Sequence, residues 1–363
     1  MNGSPALVGV ALAVLLTGCE TTLDADSDAD SVWVEVGVTR FEGDGESGSV
    51  VIPAQEPGVA VALRATTDPG VCFQLSSVVD GEGRAVVDKR SPGAFCRDCE
   101  LRSSVAVEAG VFVVPVDESG GLTLRFARVD CLTLTPLTKP DDRPTLRVAA
   151  QRIADAPDHA TIDLRFHIAR SSILFGDAPR QRELIATLAQ ELASGGLTPR
   201  LVETLELDQL PPELRFHAGD HAELAGWIAA PPSAEPTLDV VFGGCLLYDD
   251  PIFGPADPVD GFTPRIPGGA GPADGVFMAG LDCFAPGSGP IDLPVRAQAR
   301  VLAHEIGHAL GLYHVVEADG LADTLADTGL DNVMHPNPGL ATAVGFSPSQ
   351  GRVMRIHAAA RAR

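Results

Sequence analysis

The chain has no cluster of basic residues. Its 363 residues carry 26 Lys and Arg against 49 Asp and Glu, a formal net charge of -23. Phosphate contacts need Lys and Arg in groups, so a nucleic-acid partner is excluded. Long apolar stretches are lacking as well: the run from Ala6 to Leu16 is too short to cross a bilayer as a mature helix. There is no internal repeat. With 45% hydrophobic and 21% charged residues, the composition is neither that of a disordered chain nor that of a multi-span membrane protein. The length suits about two domains.

The Ala6–Leu16 run reads instead as the core of a signal peptide. It leads into Leu16-Thr17-Gly18-Cys19, which resembles the bacterial lipoprotein cleavage box, although the n-region has no Lys or Arg. The resemblance implies cleavage after residue 18 and a lipid on Cys19. It places the mature chain in the bacterial cell envelope, membrane-held through that lipid alone, with an ordinary secretory signal as the alternative. Residues 19–31, with TTLDADSDAD at their centre, are acidic and have little to bury, so they read as a tether. Six other cysteines follow, four in the first half (Cys72, Cys96, Cys99, Cys131) and two in the second (Cys245, Cys283). An even count in an exported chain fits disulfides, with Cys245–Cys283 the single pairing open to the second half. The first four allow three pairings. A lone redox-active Cys96-x-x-Cys99, or a zinc site built from all four cysteines, is the competing reading.

Two domains are expected. Residues 32–156 show short alternating runs, such as Val32/Val34/Val36/Val38, Val59/Val61/Leu63 and Leu122/Leu124/Phe126, punctuated by Gly, Pro and Asp. No helical period competes with them, which points to an all-β sandwich. From residue 157 to 363 strands interleave with helices, the pattern of an α/β or α+β domain. Ile162, Leu164, Phe166 and Ile168 mark a strand, and Leu184, Ile185, Leu188 and Leu192 one helix face. Leu238–Phe242 and Val276–Ala279 read as strands and 251–275 as a Gly- and Pro-rich surface loop. Helices are expected over 295–312 and, with Ser347 as cap, over 348–360.

The informative segment is His304-Glu305-Ile306-Gly307-His308-Ala309-Leu310-Gly311-Leu312-Tyr313-His314. Four residues apart on a helix, His304 and His308 share a face and reach one ion. Glu305 sits about 100° further round, beside the ion, where it meets a bound water rather than the metal. Gly311 can take a left-handed conformation and stop the helix. His314 then supplies a third nitrogen from another direction. Three His ligands leave a fourth tetrahedral position open, the mark of a catalytic zinc. Leu302, Ile306, Ala309 and Leu310 fall on the opposite, core-facing side. For this composition a chance match to all five fixed positions is on the order of 10⁻⁵, so isolated surface or core histidines are a poor account.

The pattern HExxHxxGxxH resembles that of the metzincin metallopeptidases, and every fixed position is matched. Asp331-Asn332-Val333-Met334 resembles the family's Met-turn, with Met334 lying under the metal. Gly311–His314, Asp323-Thr324 and Phe346-Ser347-Pro348-Ser349-Gln350 look most like the pappalysin-type branch. His335-Pro336 follow the Met and no Tyr is close, so no Tyr ligand or oxyanion donor is assigned. The resemblance covers roughly residues 160–363. It implies a metzincin-like fold, one catalytic Zn2+ and hydrolysis of protein or peptide substrates with Glu305 as base. It also implies an edge strand that pairs with extended substrate, for which Val276–Ala279 is the candidate and an ordinary core strand the alternative.

Other features are weaker. His217 and His221 are four apart but lack a third partner at useful spacing, and His335 is a candidate lining residue of the cleft. The acidic 250–274 loop makes Ca2+ a second candidate ion without a known calcium-loop spacing. The first domain is a binding module or spacer, or a removable pro-segment. The competing function is a surface-binding lipoprotein with a silent peptidase-like domain; the presence of Glu305 and all three His residues favours the enzyme.

Overall fold

The structure, a computed structural model, describes residues 33–54, 59–88, 106–116, 121–131, 135–153, 156–208, 210–216, 221–228, 237–249, 257–268, 274–283, 291–316, 323, 325–338 and 345–362. Cys19 and the signal and tether segments, Cys96, Cys99, His217 and Thr324 lie outside the described residues. Ser31–Arg363 make one compact unit.

The first half is all antiparallel strand. Its strands are β1 (Val34–Arg40), β2 (Val50–Ile52), β3 (Val59–Thr66), β4 (Cys72–Val79) and β5 (Ala85–Asp88). There follow β6 (Ala106–Val107), β7 (Ala109–Val116), β8 (Leu122–Val129) and β9 (Thr145–Ile153). They form one sheet in the order β1-β9-β3-β7-β6-β4-β8-β2, with β5 on β4. The hairpin from β1 to β2, the two end strands, is bridged as well: the Gly48 amide donates to the Arg40 carbonyl (3.1 Å), and Phe41 bridges Ser47. The sheet therefore curls around a single core that includes Phe41, Phe73, Phe112 and Phe126. The expected sandwich is thus hydrogen-bonded continuously rather than split into two sheets. In β1 a register shift between Glu35 and Gly37 breaks the alternation, leaving Val38 50% exposed. The cysteines Cys72 and Cys131 are disulfide-bonded.

The second half holds a six-stranded sheet of β10 (Ala160–Ala169), β11 (Leu197–Leu207), β13 (Leu238–Phe242), β16 (Gly261–Phe262), β17 (Gly275–Met278) and β20 (Ala360–Ala362). Its order is β11-β10-β13-β17-β16, with β20 pairing the start of β10. A small sheet joins β12 (Glu213–Phe216), β14 (Cys245–Tyr248) and β15 (Asp257–Pro258), and β18 (Leu281–Asp282) pairs with β19 (Ile291–Asp292). Ile162, Leu164, Phe166 and Ile168 of β10 face a core shared with α1 (Ala178–Leu192) and α3 (Val295–Ala309). Val241 and Phe277 face a second core with α2 (His221–Ile228). Between them, β10 buries an ionic row: Asp163 takes both Nε and Nη2 of Arg200 (2.6 and 2.5 Å), and Asp239 accepts from Arg165 and faces His167 (2.8 Å). Cys245 and Cys283 are disulfide-bonded, tying β14 to the hairpin before α3.

Several sequence expectations are corrected. The 251–275 segment is not simply a surface loop, since it contains β16 and the buried Arg265. Val276–Ala279 is no free edge: β17 pairs with β13 on one side and, at Phe277 and Met278, with β16 on the other. The last helix, α4 (Pro348–Arg355), ends before Ala360 because the chain turns back to add β20 to the sheet. Ser347 caps it in a capping box with Gln350. The outward residues Ala60, Ala62, Val111 and Val113 of β3 and β7 pack on Ile356, just after α4, in an apolar seam between the halves. Their apolar character follows from that burial. Among the described residues no helix is long and apolar enough to cross a membrane.

Candidate metal centre

Helix α3 carries His304, Glu305 and His308, all buried. Its hydrophobic residues Leu302, Ile306 and Ala309 lie in the core, which orients the opposite face. The helix ends in a Schellman-type turn: the Gly311 amide donates to His308 and the Leu312 amide to Gly307, both at 2.9 Å. Gly311 has φ 108°, a conformation a side chain would strain. The turn stops the helix at Ala309 rather than Leu312 and delivers His314 to the site.

The three rings converge. Nε2 of His308 lies 3.0 Å from Nε2 of His304 and 3.2 Å from Nε2 of His314. The Nδ1 atom of His304 donates to the Val333 carbonyl (2.7 Å) and that of His308 to the Leu312 carbonyl (2.8 Å). A carbonyl only accepts, so these Nδ1 atoms carry the protons and the Nε2 atoms present lone pairs. Burial, and then the neighbouring His304 and His314 rings, hold the pKa of His308 well below the usual imidazole range, so this ring is neutral. Lone pairs 3.0 Å apart repel one another unless a cation lies between them. Tetrahedral zinc, with bonds of about 2.0–2.1 Å, sets neighbouring nitrogens roughly 3.3 Å apart, so the donor set fits the ion. Among the described residues this trio is the group of side chains placed to hold a metal, and Asp260 and Asp274 of the acidic loop are not in it.

Met334 is fully buried. Its sulfur fills the space beside Gly307, where a Cβ would come within 2.5 Å. The Met334 carbonyl accepts from the Val315 amide (3.0 Å), next to His314. Asn332 shapes this turn: its Oδ1 accepts from the Met334 amide and its Nδ2 donates to Gln350 Oε1, both at 2.8 Å. The Gln350 oxygen also accepts from the Ser347 amide (2.9 Å), so the turn that holds His304 through the Val333 carbonyl is coupled to the cap of α4. His335 makes a local contact, its Nδ1 accepting from the Asn337 amide (3.0 Å).

Glu305 is held by a residue the sequence reading missed. The Thr263 hydroxyl lies 2.8 Å from Glu305 Oε2 and 3.0 Å from the Glu305 carbonyl oxygen. Burial pushes the Glu305 carboxyl up to about 8, with the Thr263 hydrogen bond pulling the other way. No spacing in the sequence links residues 42 apart, and Thr263 stood in a segment read as loop.

No family model matches the chain, and no curated protein matches it. Among solved structures it is similar to archaemetzincin from Methanopyrus kandleri, at 15% identity over 56% of this chain and 89% of that one, with a TM-score of 0.30. It is also similar to metalloproteinase-II from Bacteroides fragilis, at 13% identity over 58% of this chain, with a TM-score of 0.29. This chain spans 63% of that structure's length. A family two carbohydrate esterase from Clostridium thermocellum follows at 9% identity over 56% of this chain and 61% of that one, with a TM-score of 0.17. Scores this low leave the chemistry to be judged from the site's own residues.

Proposed function

We propose that this chain is a zinc metalloendopeptidase of metzincin type that hydrolyses peptide bonds in extracellular or periplasmic proteins. The observation that carries the reading is the convergence of three histidine Nε2 atoms beside the buried carboxyl of Glu305. His304, His308 and His314 would hold the ion, which when bound supplies acidity to a water and polarises the scissile carbonyl. Glu305 accepts the proton of the attacking water and passes it to the leaving amine. The finer, pappalysin-type reading rests on the resemblance of Gly311–His314, Asp323-Thr324 and Phe346–Gln350 to that branch. The apolar seam at Ile356 favours a first domain retained as a permanent module over one that is removed. Lipidation at Cys19 completes the proposal, placing the enzyme in the bacterial cell envelope.

The test is zinc content and cleavage of a mixed peptide library by the full chain, with Glu305→Ala alongside. The expected outcome is about one zinc per chain in both proteins and cleavage by the wild type alone, turnover in the variant falling by more than about 10²-fold. Zinc without wild-type cleavage would favour the silent binding lipoprotein. Absence of zinc from both would overturn the metal centre itself.

A further inference from the structure

The strand that covers Glu305 is β16, at the edge of the sheet. Successive residues of a strand point to opposite faces, so Gly261 and Thr263 share one side and Phe262 takes the other. Phe262 packs its ring against Phe216 (centroids 4.3 Å apart) and Tyr248 (5.8 Å), which fixes the strand from behind. The opposite side lies directly on Glu305. A Cβ at Gly261 would come within 2.7 Å of Glu305 Cγ and 2.8 Å of Oε1, so only glycine lets the strand approach so closely. Two residues on, Thr263 places its hydroxyl on the carboxylate. The strap continues past the buried Arg265, which faces Asp274 at 3.8 Å. It is pinned again where the Gly268 amide donates to the Ala309 carbonyl (2.9 Å), one helical turn beyond Glu305. Space and a hydroxyl are thus both supplied at the general base, on a strand anchored by aromatic packing.

The Thr263 oxygen has one proton to give and two acceptors in reach, Oε2 and the carbonyl of the same glutamate. We propose that Thr263 is a positioning residue for Glu305, holding its carboxyl in one place while the proton arrives from water and leaves with the amine. This rests on the peptidase reading above. With Glu305 ionised, the hydroxyl donates to Oε2. Once the other carboxyl oxygen has taken a proton, Oε2 is still an acceptor and the Thr263 hydroxyl keeps donating to it. The heavy atoms stay where they are, so the base is aligned for both the abstraction and the return of the proton.

The test compares Thr263→Val, which keeps the shape and removes the hydroxyl, with Thr263→Ser, which keeps the hydroxyl. In the full chain, Thr263→Val should bind about one zinc and melt close to the wild type. Its kcat should fall about 10- to 100-fold with KM nearly unchanged, as expected when a reacting group is misplaced by a fraction of an ångström. The Ser variant should recover most of that loss. Crystals of the two variants supply a readout independent of turnover: the Glu305 carboxylate leaves its place in Thr263→Val and keeps it in Thr263→Ser. Should the Val variant fail to fold or to hold zinc, Thr263→Ser against Thr263→Ala, which differ by the one oxygen, gives the same comparison. Wild-type kcat in the variant without the hydroxyl, no recovery with Ser, or an unmoved carboxylate would overturn the role of Thr263 and leave the peptidase standing. A wild-type chain that holds zinc but cleaves nothing would remove the peptidase reading and this role together.

Discussion

The two halves of this molecule treat polar groups differently. Among the described residues, the curled sheet of the first half buries Ser47, Ser76, Ser77 and Arg128 and otherwise fills its interior with apolar side chains. The second half buries Asp163, Arg165, His167, Arg265, Asp274, His304, Glu305, His308, Asn332, Gln350 and His357, among others. Burying a charge is costly unless a partner compensates it, and partners are present: Arg200 for Asp163 and Asp239 for Arg165. The lesson is that the first half is specified by volume and the second by pairing. A region that buries so many polar groups at that cost is where chemistry is to be sought.

The contrast can be broken most forcefully from the volume side. Phe73 is fully buried and touches the rings of Phe41, Phe112 and Phe126 at 6.1–6.5 Å. Phe73→Ala should cost about 3–5 kcal/mol by chemical denaturation, as for other large core truncations. Zinc content of the protein that stays folded should not change; a loss of zinc there would show that the halves are less separate than their interiors suggest.

Acid should sharpen the comparison from the pairing side. His357 is buried between α4 and β20, and its Nδ1 accepts from the Ala359 amide (3.1 Å), an arrangement that needs a neutral ring. Burial lowers its pKa from 6.5 to about 4. Below 6.5 the unfolded chain takes up a proton that the folded chain refuses. This contribution to stability is therefore complete above about 6.5 and declines as the pH falls to about 4, by roughly 3 kcal/mol in all. Urea midpoints at about pH 7 and about pH 4.5 should diverge less in His357→Leu than in the wild type. Equal divergence would remove His357 from the account.

The smallest effect belongs to the cap of α4. The Ser347 hydroxyl accepts from the Gln350 amide (3.2 Å) and donates to Asp327 (2.9 Å), and Asp327 also accepts from the Ser349 amide (3.0 Å). Ser347→Ala should cost about 1–2 kcal/mol. Because Gln350 connects this cap to the Met334 turn through Asn332, a weakened zinc affinity should accompany the loss, measured by competition with a chelator. Unchanged affinity would show that the turn holding His304 keeps its place without the cap.

Much of the site was legible because its spacings are local. His304 and His308 meet by helix geometry, Gly311 ends that helix through a turn only glycine takes easily, and the core-facing stripe of α3 is a matter of period. The pairing of Cys245 with Cys283 followed from counting, and the start and cap of α4 from Ser347-Pro348. Its length was misjudged because pairing of 360–362 with β10 ends the helix early, and nothing local announces a partner so far back along the chain.

What only the tertiary structure decided depends on register and packing between distant segments. The first sheet curls because β2 follows β1 across a bridged hairpin yet stands at the far end of the strand order, which alternation in single strands cannot show. Two-residue β16 is too short to carry a period, yet its pairing with β17 removes one edge and makes another. That same register sets Gly261 and Thr263 on Glu305. The tautomer of His304 comes from the Val333 carbonyl, 29 residues on. The sequence by itself determined which residues can bind a metal and move a proton, because those properties belong to side chains and short helical spacings. The fold decided what holds them in place, because a hydrogen bond between distant residues exists only once the backbone has brought them together.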